Sequence, residues 1–290
     1  MLNCTLCPRK CGAKRPDQRG VCGADTLRVC RAAPHYCEEP PISGKNGSGA
    51  VFFPACPLRC VFCQNTPISR GGAGKPVTPY ELSEIFKRLE AQGVHNINLV
   101  SPTPYVTDII KALNIYRPAV PVVYNTSGYE RVSTLQLLDG YVDIYLPDFK
   151  YVSPGLSAAY SSAPDYPEAA EAALREMLRQ RGGCEYGDDG MMTSGVIVRH
   201  LVLPSHKEES ISVLERLSSL FGTEKYLLSL MAQYTPMYGA SEHREINRRL
   251  TKLEYRRVSD AALRLGFKGF FQEPSSASSQ YTPNFDLTGV

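Results

Sequence analysis

Three thiols stand together at Cys56, Cys60 and Cys63, in the stretch Ala55-Cys56-Pro57-Leu58-Arg59-Cys60-Val61-Phe62-Cys63-Gln64-Asn65, directly after the apolar run 50–53. Spaced Cys-x3-Cys-x2-Cys on a loop leaving a strand, three thiolates can ligate three corners of a cubic iron–sulfur cluster. No nearby fourth cysteine completes the set, so one iron would stay open. Structural zinc sites and electron-transfer clusters normally fill all their positions. A three-cysteine site therefore points to a metal that binds something other than protein.

A second group of thiols lies upstream. Cys4-x2-Cys7-x3-Cys11, with Cys22 ten residues beyond, offers four thiolates in a segment rich in Cys, Gly, Pro and Arg that lacks a sustained hydrophobic period. Closed four-cysteine ligation folds such a segment through a metal, and the same donors suit zinc or a second iron–sulfur cluster. Cys30 and Cys37 are spare candidates. The stretch His35-Tyr36-Cys37-Glu38-Glu39-Pro40 could contribute a ligand or line the site, and His35 itself, near acidic residues, is read first as a hydrogen-bonded structural residue.

The elements that position these thiols follow from patterning. The chain has 290 residues, 43% of them hydrophobic and 21% charged, which is enough for one large core plus an appendage. Residues 1–49 read as an irregular cysteine-rich lobe and 50–290 as the main domain. From residue 50 onward, apolar runs at 50–53, 97–100, 120–125, 142–146, 195–203 and 226–232 alternate with amphipathic stretches at 79–92, 106–116, 132–138, 208–220 and 243–265. An insertion at 153–189 carries a helix over 168–179. Alternation of this kind calls for a parallel sheet with crossover helices, and six βα units suggest an α/β incomplete barrel, open on one side.

In parallel architectures the functional groups collect at the C-terminal ends of strands. Here every such end is polar: the cysteine triplet, Ser101-Pro102-Thr103-Pro104, Asn125-Thr126-Ser127-Gly128, Pro147-Asp148-Phe149-Lys150 and Gln233-Tyr234-Thr235. Asp148 and Lys150 alternate along a strand, so both face the same side.

Ten cysteines in so long a chain, nine of them crowded between residues 4 and 63, fit metal ligation better than a secreted disulfide scaffold. No charged-then-apolar leader opens the sequence and no apolar run reaches membrane-spanning length, so a cytoplasmic location without a membrane partner is expected. A net charge of +3 gives no reason to expect nucleic acid, though it leaves an RNA substrate open.

At these residues the sequence resembles the radical S-adenosylmethionine (SAM) superfamily. Within it the likeness is to the activating enzymes of glycyl radical enzymes, typified by pyruvate formate-lyase activase, and more narrowly to a PflX-like branch. The stretches that carry it are Cys4-Thr5-Leu6-Cys7-Pro8-Arg9-Lys10-Cys11, His35 with Glu38-Glu39-Pro40, Gly47-Ser48-Gly49, the triplet with Gln64-Asn65, and Asn98-Leu99-Val100-Ser101-Pro102-Thr103. The resemblance implies a (β/α)6 partial barrel and a [4Fe-4S] cluster on Cys56, Cys60 and Cys63. It also implies SAM chelated to the open iron and cleaved reductively to a 5′-deoxyadenosyl radical that abstracts hydrogen.

The same resemblance assigns the cofactor residues. Phe62 precedes the last cysteine. Ser101 and Thr103 stand where activases carry a Gly-Gly-Glu motif, whose Glu is absent here. Asn125 and Ser127 match a motif that hydrogen-bonds SAM, and Asp148 and Lys150 match an Asp-x-Lys that meets its carboxylate or ribose. Arg199 and Leu201 match an arginine at the SAM carboxylate and a residue near the adenine, while His200 points away. Tyr234 stands where activases carry a ribose-binding His, with Gln233 as the alternative. An electron donor such as flavodoxin or ferredoxin, and a glycyl radical enzyme as partner, follow from the activase reading. Radical modification of a small molecule, peptide or RNA is the second reading, and a non-catalytic iron–sulfur or redox protein the third. Cys184, on the insertion, is read as an ordinary cysteine ahead of a substrate-facing one.

Overall fold

Eight strands of one sheet follow the chain in a computed structural model that describes residues 3–273 and 283–290. They are β1 (Arg31–His35), β2 (Ser48–Phe52), β3 (Ile97–Val100), β4 (Val122–Thr126), β5 (Ile144–Pro147), β6 (Met192–Leu201), β7 (Leu227–Met231) and β8 (Gly269–Phe271). The spatial order is the chain order. β1 runs antiparallel to β2, every later neighbour on this path is parallel, and a two-residue strand, Glu185–Tyr186, pairs antiparallel with β6 off the path. Among the described residues β1 and β8 do not pair with each other, so the sheet is a barrel left open on one side.

Helices fill the crossovers: α1 (Pro79–Ala91), α2 (Val106–Ile115), α3 (Val132–Gln136), α4 (Pro154–Ser161), α5 (Tyr166–Arg181), α6 (Lys207–Phe221) and α7 (Lys252–Arg264). β2, β3 and β5 are buried along their whole length, as expected of parallel strands covered on both faces. α1 shows why a helix forms where it does. Thr78 and Glu81 close a reciprocal capping box at its start, and Leu82, Ile85, Phe86 and Leu89 bury one face against the sheet. Each such side chain is worth about 1.5–3 kcal/mol on burial.

Several elements depart from the sequence reading. The segment 1–49 divides: residues 3–27 carry no helix or strand, whereas Arg31–His35 joins the main sheet. The insertion forms two helices, α4 and α5. The long helix expected at 243–265 begins only at Lys252, because a second capping box, Thr251 with Glu254, fixes its start. The residues before it are held otherwise, Glu245 accepting from the Tyr160 hydroxyl (2.5 Å) and the Ile246 carbonyl from Tyr234 (2.8 Å). β8 adds a seventh parallel strand. The tail 283–290 returns to cover the outer edge of β1, where Ala32 N donates to Thr288 O. The polar run Ser275-Ser276-Ala277-Ser278-Ser279 lies outside the described residues. Among those described, no helix is long and apolar enough to cross a membrane.

Two residues just past β4 make this region sensitive. Gly128 has φ +77, and a Cβ there would sit 2.1 Å from the Asp148 carbonyl oxygen. Gly128→Ala is expected to cost at least about 1–3 kcal/mol in backbone strain, before the forced separation of β4 and β5 is counted. An unchanged urea midpoint would contradict this. Glu130 is 2% exposed, accepts from Thr103 and Thr126, and leaves Oε2 without a partner. Burial raises its carboxyl from 4.5 to about 7. The folded chain then holds a proton that the unfolded chain releases, so stability is fully present below about 4.5 and falls as pH rises to about 7. Replacing the acid by its amide, Glu130→Gln, is expected to remove roughly 2–3 kcal/mol of the stability lost between pH 5 and pH 8. Urea titrations at the two pH values measure it, and parallel pH profiles for both proteins would contradict it.

Candidate active site

Because β2 to β7 are parallel and in order, their C-terminal ends open onto one cavity of about 520 Å³. Cys56, Cys60 and Cys63 line it together with Phe62, Ser101, Asn125, Ser127, Asp148, Lys150, Arg199 and Leu201. Thus the C-terminal ends of four strands and two residues of a fifth meet where the sequence placed a site. Two expected residues do not reach it. Thr103 is buried with its hydroxyl on Glu130 (2.5 Å), and Tyr234 is buried with its phenol on Ile246 O. Gln233 lines the cavity instead. The alternation of side chains along the chain end explains the exchange, since neighbours face opposite ways.

The cysteine loop is gripped from both sides. Ala55, at φ +70, turns the chain out of β2 and donates its N–H to Ile68 O. From the insertion, the end of α4 receives the loop: Val61 N donates to Tyr160 O (2.9 Å) and Arg59 N to Ser161 O (3.2 Å). Ser161 Oγ lies 3.1 Å from both Cys60 Sγ and the Tyr151 hydroxyl. The insertion therefore buttresses the loop. Burial, then the neighbouring thiols, push Cys56 well up, while Lys150 pulls it down. Lys150 thus offsets part of the cost of ionising Cys56 and Cys63, the form that binds metal.

Two charged groups face this loop across the cavity. Lys150 Nζ sits 2.5 Å from Asp148 Oδ2, and although burial alone would lower it, Asp148 and Cys60 hold the ammonium well above its ordinary value. Arg199 does not stand free. Its guanidinium donates to Glu39 (2.7 and 2.5 Å), to Glu38 and to Asn125 Oδ1 (3.3 Å). Burial would raise the Glu39 carboxyl, but Arg199 and Ser229 hold it below its ordinary value. Glu38 also accepts from Asn98 (3.0 Å) and Asn125 (3.4 Å). Two carboxylates against one guanidinium leave one negative charge on this wall.

The stretch 35–40, read from sequence as able to line the site, does line the cavity, although no individual role was assigned to Glu38 or Glu39, and Ser161 was not singled out. Glu38 and Glu39 sit in a stretch the resemblance did mark, and nothing in the sequence pairs Ser161 with Cys60. His200 is structural, bonded to Phe149 O (2.7 Å) and Ser210 Oγ (2.9 Å). Cys184 packs under β6 beside Met192 and Ile197, away from the cavity, and Cys30 is buried against Phe52. Cys37 and His35 do line the cavity. Among the described residues no trio of Cys, His, Asp or Glu is already drawn to metal-binding distance. The donor set nonetheless suits a cluster with an added ligand: three thiols share a cavity large enough for a nucleotide-sized guest, and Ser127 Oγ on its wall is buried without a partner.

Comparison with known proteins bears on this site. Residues 50–214 match the family model of the radical SAM superfamily. The uncharacterized protein MJ0674 of Methanocaldococcus jannaschii is 30% identical over 271 residues, covering 90% of this chain and 74% of its own. Among solved structures, SuiB of Streptococcus suis bound to S-adenosylmethionine is 12% identical at a TM-score of 0.47, covering 72% of this chain and 44% of its own. Methylornithine synthase (PylB) is 16% identical at a TM-score of 0.49, over 72% of this chain and 59% of its own. A domain of pyruvate-formate lyase-activating enzyme from Bacteroides vulgatus is 14% identical at 0.40, over 67% of this chain and 91% of its own. The chain thus spans less than two thirds of SuiB and PylB. On the family match across more than half its length, carrying the cysteine triplet, this chain belongs to the radical SAM superfamily.

Proposed function

We propose that this chain binds a [4Fe-4S] cluster through Cys56, Cys60 and Cys63, holds SAM beside it, and serves as an activase for a glycyl radical enzyme of the kind the PflX-like resemblance implies. When bound, that pair of cofactors supplies reductive C–S cleavage and hence a carbon radical able to take hydrogen from carbon. The observation that carries the reading is the convergence of three thiols, the Asp148–Lys150 pair and the Glu38–Arg199–Glu39 group on one cavity.

The chain's own residues take distinct roles in this reading. Lys150, fixed by Asp148, meets the SAM carboxylate. Glu38 accepts from the SAM ammonium and so replaces the carboxylate missing at the strand that ends in Ser101. Asn98 and Asn125 hold Glu38 in place, and Arg199 orients it while leaving the wall net negative. Asn125 and the unpartnered Ser127 hydroxyl serve SAM's other polar atoms, and Gln233 serves the ribose. Phe62 and Leu201 supply apolar cover that keeps water from the reacting bond.

The open side between β1 and β8 favours a protein segment as substrate, and Tyr36 at the cavity mouth is 61% exposed. A donor such as flavodoxin or ferredoxin supplies the electron. Losing one charge-assisted hydrogen bond costs about 1.5–3 kcal/mol, so Glu38→Gln is expected to weaken SAM binding by about 10- to 100-fold. Equilibrium dialysis on the anaerobically reconstituted protein measures it, and unchanged affinity would remove Glu38 from the site. For the activase role, a partner protein co-purified under anoxia is expected to show a glycyl radical by electron paramagnetic resonance only with SAM and reductant present. Deuterium reaching 5′-deoxyadenosine from a labelled metabolite or RNA instead would favour direct modification.

A further inference from the structure

Cys4, Cys7, Cys11 and Cys22 belong to the part of the chain, residues 3–27, that has neither helix nor strand. All four border one small cavity of about 10 Å³, which Pro57 of the triplet loop, Arg9 and Arg15 also line. That volume is about one water-sized sphere. It is on the scale of a single ion rather than of a four-iron cube.

The backbone is turned to bring these sulfurs together. Lys10 N donates to Cys7 O (3.1 Å), Cys4 N to Ala13 O (3.0 Å) and Gly12 N to Cys4 O (3.0 Å), with Lys10 at φ 42 and Gly12 at φ 66. These bonds fold the run from Cys4 to Ala13 back on itself. At Gly20 a Cβ would lie 3.2 Å from Cys22 Sγ and 3.6 Å from Cys11 Sγ, so both sulfurs lie against one point of backbone. The sulfurs are not yet at metal-binding distance, and neither are those of Cys56, Cys60 and Cys63.

The segment is tied to the triplet loop and to the turn after β3. Arg9 Nε donates to Pro57 O (2.9 Å), Arg59 Nη2 to Val21 O (2.8 Å) and Arg15 Nη1 to Pro104 O (2.8 Å). Charge also balances: a divalent ion with four thiolates is a dianion, and Arg9 and Arg15 supply two cations beside it.

We propose that Cys4, Cys7, Cys11 and Cys22 form a closed four-thiolate site for one zinc ion, which folds residues 3–27 and fastens them onto the triplet loop. The proposal does not depend on SAM chemistry. A closed site of this kind does the work of the core that a segment without regular structure lacks.

The test uses the full-length chain with Cys56, Cys60 and Cys63 all replaced by Ala, so that only the upstream thiols remain to hold a cluster or ion in this part of the chain. Titration with Co²⁺ under anoxia is expected to give one equivalent with sulfur-to-cobalt charge transfer and tetrahedral d–d bands, displaced by Zn²⁺. Adding Cys4→Ser and Cys22→Ser is expected to abolish both. As a check on the unmodified protein, native mass spectrometry is expected to find one zinc per chain, and its chelation is expected to speed proteolysis within residues 3–27 at least tenfold. Absence of stoichiometric Co²⁺ binding, a spectrum indifferent to the two serine substitutions, or iron with acid-labile sulfide in the alanine variant would each overturn the zinc assignment.

Discussion

A parallel sheet whose strands lie side by side in chain order sends every strand's C-terminal end to the same edge, and everything else about this molecule depends on that constraint. Residues far apart in sequence, Cys56 after β2, Asn125 in β4, Asp148 after β5 and Arg199 in β6, become neighbours because each stands at a corresponding strand end.

The electrostatics of the cavity support the proposed binding of a charged guest. Glu38, Glu39 and Arg199 are nearly fully buried, and a buried ion group is poor evidence for stability, since apolar replacements elsewhere are often neutral or stabilising. Their arrangement instead presents a net negative wall opposite the thiols and beside the neutralised Asp148–Lys150 pair. A molecule with a sulfonium, an ammonium and a carboxylate matches that distribution. Glu38 and Glu39 reach the cavity from the loop after β1, so the chain before β2 contributes directly to the barrel's site.

Much of this was legible in the sequence because its signals are local. Cys-x3-Cys-x2-Cys and Asp148-x-Lys150 are short patterns whose geometry follows from the elements beneath them, and the helix α1 announces itself by a capping box and a regular apolar face. What was missed depends on contacts between distant segments. Which hydroxyl meets Cys60 is decided by how α4 ends, and Arg199's partners are decided by where β1 docks. Thr103 and Tyr234 misled for different reasons: the chain breaks at Ser101 (φ 59) into a single 3-10 turn, Thr103–Tyr105, that carries Thr103 into the core, whereas Tyr234 is turned inward by alternation with Gln233. The start of α7 was misplaced because apolar periodicity extends upstream of Thr251, whereas tertiary bonds from Tyr160 and Tyr234 hold residues 245 and 246 outside the helix.

The central claim is that three thiols, and no fourth side chain, hold a cluster that acts on SAM. Its most direct measurement is chromatographic quantitation of 5′-deoxyadenosine after anaerobic reconstitution with iron, sulfide, SAM and dithionite, comparing the native chain with single alanine replacements at Cys56, Cys60 and Cys63. The account predicts product from the native chain and loss of it in all three variants. Intact SAM with a fully loaded native cluster, or product that survives any one replacement, would contradict it.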